Sequence, residues 1–148
     1  HRKGRVRPGM RFLDLGTGSG VLGLACAKLG LTGVGLDIDP LAVDNARENK
    51  VINGVEREFQ VALGDLITLE ELAGEERFQV VLANILAGPL VSLAPGLAAR
   101  LDRSGGSGGL VLSGILDTQA DNVVRAYQDQ GLGAPQRFNR GEWVALVW

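Results

Sequence analysis

The sequence predicts an α/β fold: a mostly parallel sheet flanked by helices and closed by an antiparallel hairpin. Two observations predict it. Along most of the chain, short apolar runs alternate with longer stretches of helical periodicity, the pattern of buried parallel strands and their crossover helices. Near the end the pattern changes. Residues 136–139 and 143–147 flank the short turn Arg140-Gly141-Glu142, which is how a hairpin reads.

The elements follow in order. Arg11–Leu15 is the first predicted strand and runs into a glycine-rich turn. Residues 20–29 form a helix that is apolar almost all round and therefore expected to be buried, with Gly30 as its stop. Residues 33–37 are the second strand. Asp39 supplies an N-cap and Pro40 the first helical position of a helix that reaches about Asn53-Gly54. Residues 59–63 and 78–83 read as the third and fourth strands. Leu90, Leu93, Ala94, Leu97, Ala98 and Leu101 recur at helical spacing, with Pro95 expected to kink that helix. Residues 110–113 give a buried fifth strand, and residues 121–130 another helix. The segment at 104–109, SGGSGG, is a flexible low-complexity loop.

Length and composition bound the function. At 148 residues the chain can bury about 70% of the surface its unfolded form exposes, enough for one core without covalent staples. Its hydrophobic share of 45% argues against a disordered chain. Fifteen basic residues against 17 acidic ones leave a net charge of −2, so strong nucleic-acid binding is not expected. No apolar run approaches the roughly 18 residues of a membrane-spanning helix, and no membrane partner is expected. With Cys26 the one cysteine and His1 the one histidine, an internal disulfide is excluded and a His/Cys metal site is not expected. A reducing cytoplasm is the expected compartment.

The sequence opens on His1 rather than methionine, and the expectation is that a preceding segment was removed. Residues 1–10 read as a basic remnant or linker and residues 11–148 as the domain. Arg2, Lys3, Arg5, Arg7 and Arg11 read as a solvated linker region rather than an RNA-touching arm.

The informative stretch is Asp14-Leu15-Gly16-Thr17-Gly18-Ser19-Gly20, between a strand and a helix. Glycines there let the backbone turn tightly and approach a ligand beside a helix N-terminus. A dinucleotide fingerprint needs glycine at 16, 18 and 21, and position 21 is Val21. Asp14, expected at the mouth, would repel a pyrophosphate and attract an ammonium or sulfonium. Asp37, at the carboxyl end of the second strand, suits the two hydroxyls of a ribose. Ile38 can pack on the base, and Asp65, in Gly64-Asp65-Leu66, can accept the exocyclic amine of adenine. These residues fall at carboxyl ends of strands, where open α/β sheets bind ligands.

Together they resemble the class I S-adenosylmethionine-dependent methyltransferases, whose hallmark is D/E-x-G-x-G-x-G followed by an acid after the second strand. The match spans residues 11–147. It implies a Rossmann-like, doubly wound, seven-stranded sheet with only the last strand antiparallel, and S-adenosyl-L-methionine as cofactor with S-adenosyl-L-homocysteine as product. The implied cofactor-binding residues are Asp14, Gly16, Thr17, Gly18, Gly20, Asp37, Ile38, Asp65, Leu66 and Asn84. A narrower set is Leu13 to Gly20, Gly35-Leu36-Asp37-Ile38-Asp39-Pro40, Ala83-Asn84-Ile85-Leu86-Ala87-Gly88-Pro89-Leu90, Leu112-Ser113-Gly114-Ile115-Leu116 and Gly141-Glu142-Trp143. It is similar to the catalytic domain of ribosomal protein L11 methyltransferases. That resemblance implies transfer to protein amino groups, lysine side chains or the N-terminal amine, with a ribosomal protein as partner. Ile85-Leu86 stands where glutamine and nucleic-acid amino methyltransferases carry two prolines. The family also has a substrate-recognising N-terminal domain and a threonine-containing segment before its catalytic core, where this chain has residues 1–9.

An amine must be neutral to attack, and its reference pKa is near 10.4. Burial beside a sulfonium lowers that value, so no dedicated base is required. Asn84 is the candidate catalytic residue, orienting the amine. Asn45, Asn49 and Asn53 read as a solvated helix face, Trp143 and Trp148 as packing on the hairpin, and Cys26 as a small core residue. The alternatives are transfer to another small-molecule or nucleic-acid amine, a non-catalytic adenosyl-binding module, or a nicotinamide oxidoreductase, the last disfavoured by Val21 and Asp14.

Overall fold

The computed structural model describes residues 6–148; Arg2, Lys3 and Arg5 of the basic stretch lie outside the described residues. A seven-stranded sheet has the order β3-β2-β1-β4-β5-β7-β6. Its strands are β1 (Arg11–Leu15), β2 (Thr32–Asp37), β3 (Phe59–Leu63), β4 (Val80–Asn84), β5 (Gly109–Leu116), β6 (Gln136–Arg140) and β7 (Trp143–Val147). The pairs from β3 across to β5 are parallel, and β7 runs antiparallel to both β5 and β6. The hairpin is as the sequence predicts, and the single reversed strand is as the resemblance implies.

Helices cover both faces, which makes the sheet doubly wound. On one side lie α1 (Val21–Lys28) and α2 (Pro40–Ile52), over a core that includes Phe12, Leu31, Ala46 and Phe59. On the other lie α3 (Leu66–Ala73), α4 (Ala87–Ser92), α5 (Ala94–Arg100) and α6 (Ala120–Gln128), over Leu13, Val81, Leu97, Leu112, Tyr127 and their neighbours. Tyr127 is fully buried and donates its hydroxyl to the Leu90 carbonyl at 2.9 Å. The chain proceeds from β1 to one side of the sheet and from β4 to the other, so the crevice between them is the switch point where such sheets bind ligands.

Several expectations are corrected. The fourth strand begins at Val80, and Phe78 instead makes an isolated bridge to Leu101. The helix expected through Leu101 is two helices that meet at Leu93, with Pro95 in the first turn of α5, where a missing N–H costs nothing. The α3 helix was not predicted; Asp65 and Thr68 start it with reciprocal side-chain caps. Nor is α1 buried all round, for Val21 and, just past its end, Leu29 are more than 60% exposed. Its inner face is Gly23, Cys26 and Ala27, small residues that let the helix sit close to the sheet. A Cβ on Gly23 would collide with the Phe59 ring. That ring also packs against Phe12 with centroids 5.6 Å apart.

The described residues before β1 are docked on the domain. Gly9 donates its N–H to the Gly30 carbonyl at 2.9 Å, and Arg7 donates to Ser107 Oγ at 2.9 Å. Arg11, counted with the basic stretch, pairs with Glu76 at 2.7 Å.

Candidate active site

The glycine-rich turn joins β1 to α1, and Gly16, Gly18 and Gly20 all have positive φ, at 70°, 57° and 87°. This left-handed backbone is open to glycine and strained for other residues. Most of the turn's N–H groups are committed internally. Gly16 and Thr17 both donate to the Leu36 carbonyl, at 2.8 and 2.9 Å, and Gly20 donates to Thr17 at 2.8 Å. Gly18 donates to Asp37 Oδ2 at 2.9 Å and Gly23 to Asp14 Oδ2 at 3.0 Å. A phosphate loop presents free N–H groups to its ligand; here two carboxylates occupy donors that a phosphate would need.

Beside the turn opens a cleft of about 530 Å³, lined in part by Gly16, Gly18, Asp37, Ile38, Asp65 and Leu66. Asn84, Ile85, Leu86, Pro89 and Leu93 form its other wall. The volume lies in the usual range for a small-molecule site. Among the described residues, the lining holds two carboxylates and no Lys, Arg or His.

Each predicted residue has a definite place. Asp37 accepts from Gly18 through Oδ2 and from Asp39 N–H through Oδ1, at 2.9 and 3.0 Å. A carboxylate offers about four acceptor sites, which leaves capacity for two hydroxyls. Ile38 is 77% exposed beside it, an apolar surface for a flat ring. Asp65 Oδ1 caps α3 by accepting from Ile67 and Thr68 N–H, at 2.9 and 3.2 Å, so a helix-capping role and a place on the cleft coexist. Asn84, the last residue of β4, is exposed on the opposite wall.

A model of the family described as ribosomal protein L11 methyltransferase (PrmA) matches residues 3–148. The chain belongs to this family. Among its relatives, the ribosomal protein L11 methyltransferase of Brucella suis is 44% identical over 135 residues, covering 90% of this chain and 46% of that protein. The Chromohalobacter salexigens protein of the same name is 46% identical over 138 residues, covering 93% and 44%. The chain spans about half the length of the curated relatives it matches. The crystal structure of the ribosomal protein L11 methylase of Lactobacillus delbrueckii subsp. bulgaricus superposes with a TM-score of 0.78 at 29% identity, covering 94% of this chain and 69% of that one. An RNA methyltransferase of Salinibacter ruber, solved with S-adenosyl-L-homocysteine, gives 0.69 at 26% identity, covering 94% and 79%.

Within this member of the L11 methyltransferase family, three predicted site residues build the turn from behind and do not line the cleft. Gly20 packs against Ala46 and Phe59. Thr17 is 6% exposed and donates its hydroxyl to Asp14 Oδ2 at 2.7 Å. Asp14 is 1% exposed, which corrects the expectation that it stands at the mouth; its role is to hold the turn to the start of α1. Its other oxygen, Oδ1, is buried without a donor among the described residues.

Sequence reasoning missed Leu15, Ile85, Leu86, Pro89 and Leu93 as wall residues. The signal was a leucine, Leu86, 70% exposed just past a strand buried through Ala83, and exposure is not written in an apolar run. Asn49 was read as solvated, yet its side-chain amide donates to the Ser19 carbonyl at 2.9 Å and ties α2 to the turn.

Burial pushes the Asp14 carboxyl from 3.8 up to about 6; the bonds from Thr17 and Gly23 oppose the rise, and the charge of Asp37 adds to it. Burial, and then the charge of Asp14, raise the Cys26 thiol to about 11, which leaves it inert. The sign for Asp14 follows from its raised folded-state value. Its contribution is fully favourable below pH 3.8 and is lost as pH rises through about 6, a change worth about 3 kcal/mol. Urea unfolding of Asp14→Asn against the parent from pH 4 to 7 should therefore show the variant gaining relative stability across that window. A difference that stays flat with pH would remove the argument.

Proposed function

We propose that residues 11–148 form the catalytic domain of an S-adenosyl-L-methionine-dependent methyltransferase that transfers a methyl group to protein amino groups, lysine side chains or an N-terminal amine, of a large-subunit ribosomal protein. A ribosomal substrate places the enzyme in the cytoplasm; no helix among the described residues is long and apolar enough to cross a membrane. The observation that carries the reading is the cleft itself: a glycine turn with most of its donors spent, two carboxylates and, among the described residues, no cation. Such a wall suits an adenosyl group that bears positive charge and lacks phosphate, because a pyrophosphate would meet carboxylates and find few N–H groups. Structures of related fold solved with S-adenosyl-L-homocysteine support the choice of cofactor.

When bound, the cofactor supplies an electrophilic methyl on a sulfonium, displaced in line. In the proposal Gly16 and Gly18 give it close backbone approach, Asp37 holds the ribose hydroxyls, Ile38 and Leu66 flank the base, and Asp65 accepts from the adenine amine through the oxygen its helix cap leaves free. Across the cleft Asn84 orients the incoming amine by accepting its N–H. Ile85, Leu86, Pro89 and Leu93 exclude water there, which disfavours the ammonium form and keeps the nitrogen lone pair available.

Incubation with labelled S-adenosyl-L-methionine and ribosomal protein L11 tests the reading, with transfer expected to an amine. Asn84→Ala should lower kcat about 10- to 100-fold and weaken S-adenosyl-L-homocysteine affinity by much less. Equal turnover would make Asn84 a strand-end residue only. The likeness to an RNA methyltransferase favours a nucleic-acid amine as the second reading, and labelling of ribosomal RNA instead of protein would select it. Cofactor binding without transfer to any amine would select the non-catalytic module.

A further inference from the structure

The amide proposed to orient the amine has a neighbour that nothing above has used. Pairing of β5 with β7 is regular up to Leu112↔Leu146 and from Ile115↔Val144, with the register shifted between them. Ser113 and Gly114 thus face the single residue Ala145, a β-bulge. It lies where β5 borders the end of β4, in the register Asn84↔Ser113. Bulges bend a strand and re-aim its neighbours, and they recur beside active sites.

Gly114 sits in the bulge with φ 77°. A Cβ there would lie 2.8 Å from Asn84 Oδ1 and 3.0 Å from the Ile85 carbonyl oxygen. On its other flank the same strand end meets Gly16, where a Cβ would collide with the Ile85 side chain. The segment Asn84-Ile85 is held between two glycines, one on the cofactor side and one on the bulge. The atom freest to yield on the bulge side is the Asn84 amide, the tip of a side chain that makes no hydrogen bond among the described residues. The Ile85 carbonyl belongs to the backbone.

We propose that Gly114 is a positioning residue, whose missing side chain leaves the Asn84 amide the room to face the acceptor amine. The inference rests on the proposed function and deepens it by naming what sets the aim of Asn84. A side chain at 114 turns the amide away while the cofactor wall, built by β1, β2 and the glycine turn, stays in place.

The test uses Gly114→Ala and, because alanine is strained at this φ, Gly114→Asn, asparagine being the non-glycine residue that best accepts it. Each is made alone and with Asn84→Ala, and kcat, KM and S-adenosyl-L-homocysteine Kd are measured. The expected result is a fall in kcat of about 10- to 100-fold from misplacement, with Kd unchanged within about twofold and no further loss in the Asn84→Ala background. A loss that adds to that of Asn84→Ala, or a Kd that weakens in step with kcat, would overturn the proposal, since general damage to the fold predicts both. Should the parent protein transfer methyl to no amine, the proposed function fails first, and the side-chain amide resonances of Asn84 then decide. Displaced Asn84 resonances with those of Gly16 and Gly18 unmoved support the placement; unmoved Asn84 resonances overturn it.

Discussion

Asp37→Ala should weaken S-adenosyl-L-homocysteine binding by about 10- to 100-fold, corresponding to 1–3 kcal/mol for buried partners left unpaired. The carboxylate does two things at once. It fixes the turn by accepting from Gly18 and Asp39 N–H, and it presents its remaining acceptor capacity to the cleft. Asp37→Asn keeps the shape but gives up charge and one acceptor, so its affinity should fall between the two. Isothermal titration measures this directly, and an unchanged Kd for the alanine variant would remove Asp37 from the site.

Phe59→Ala should cost about 3–5 kcal/mol, the range for deleting a fully buried aromatic ring. Phe59 is 0% exposed and fills the space that glycines at 20, 23 and 35 leave open beside it. With no side chain at these glycines to swing into the gap, the cavity collapses poorly and the cost falls toward the upper end. The midpoint of thermal unfolding should drop by about 10 °C or more. A loss below about 1 kcal/mol in urea titration would mean that the ring does not wedge α1 against the sheet.

The two predictions mark how much the chain discloses in one dimension. The Asp14-to-Gly20 turn, Asp37 and the hairpin about Gly141 are legible because each depends on local chemistry: a strained backbone only glycine accepts, a carboxylate at a strand end, a tight reversal. Asp39-Pro40 likewise marks the start of α2 within a few residues. What was not legible depends on distant neighbours. Residues 20–29 read as buried because they are apolar, but only the fold shows that the Phe59 ring takes Gly23, Cys26 and Ala27 inward and leaves Val21 and Leu29 outside. α3 escaped notice because its cap, Asp65, also has the spacing of a ligand contact. Asp14 was placed at the mouth from its motif, while its burial comes from the Thr17 hydroxyl and Gly23 N–H that draw it under the turn. The apolar wall from Ile85 to Leu93 required two short helices to break at Leu93.

The central claim is that the cleft accepts a phosphate-free adenosyl ligand. Parallel titrations of the protein with S-adenosyl-L-homocysteine and with NAD test it most directly. The account predicts saturable binding of the first, weakened by Asp37→Ala, and no comparable binding of the second; saturable binding of NAD with none of S-adenosyl-L-homocysteine would contradict it.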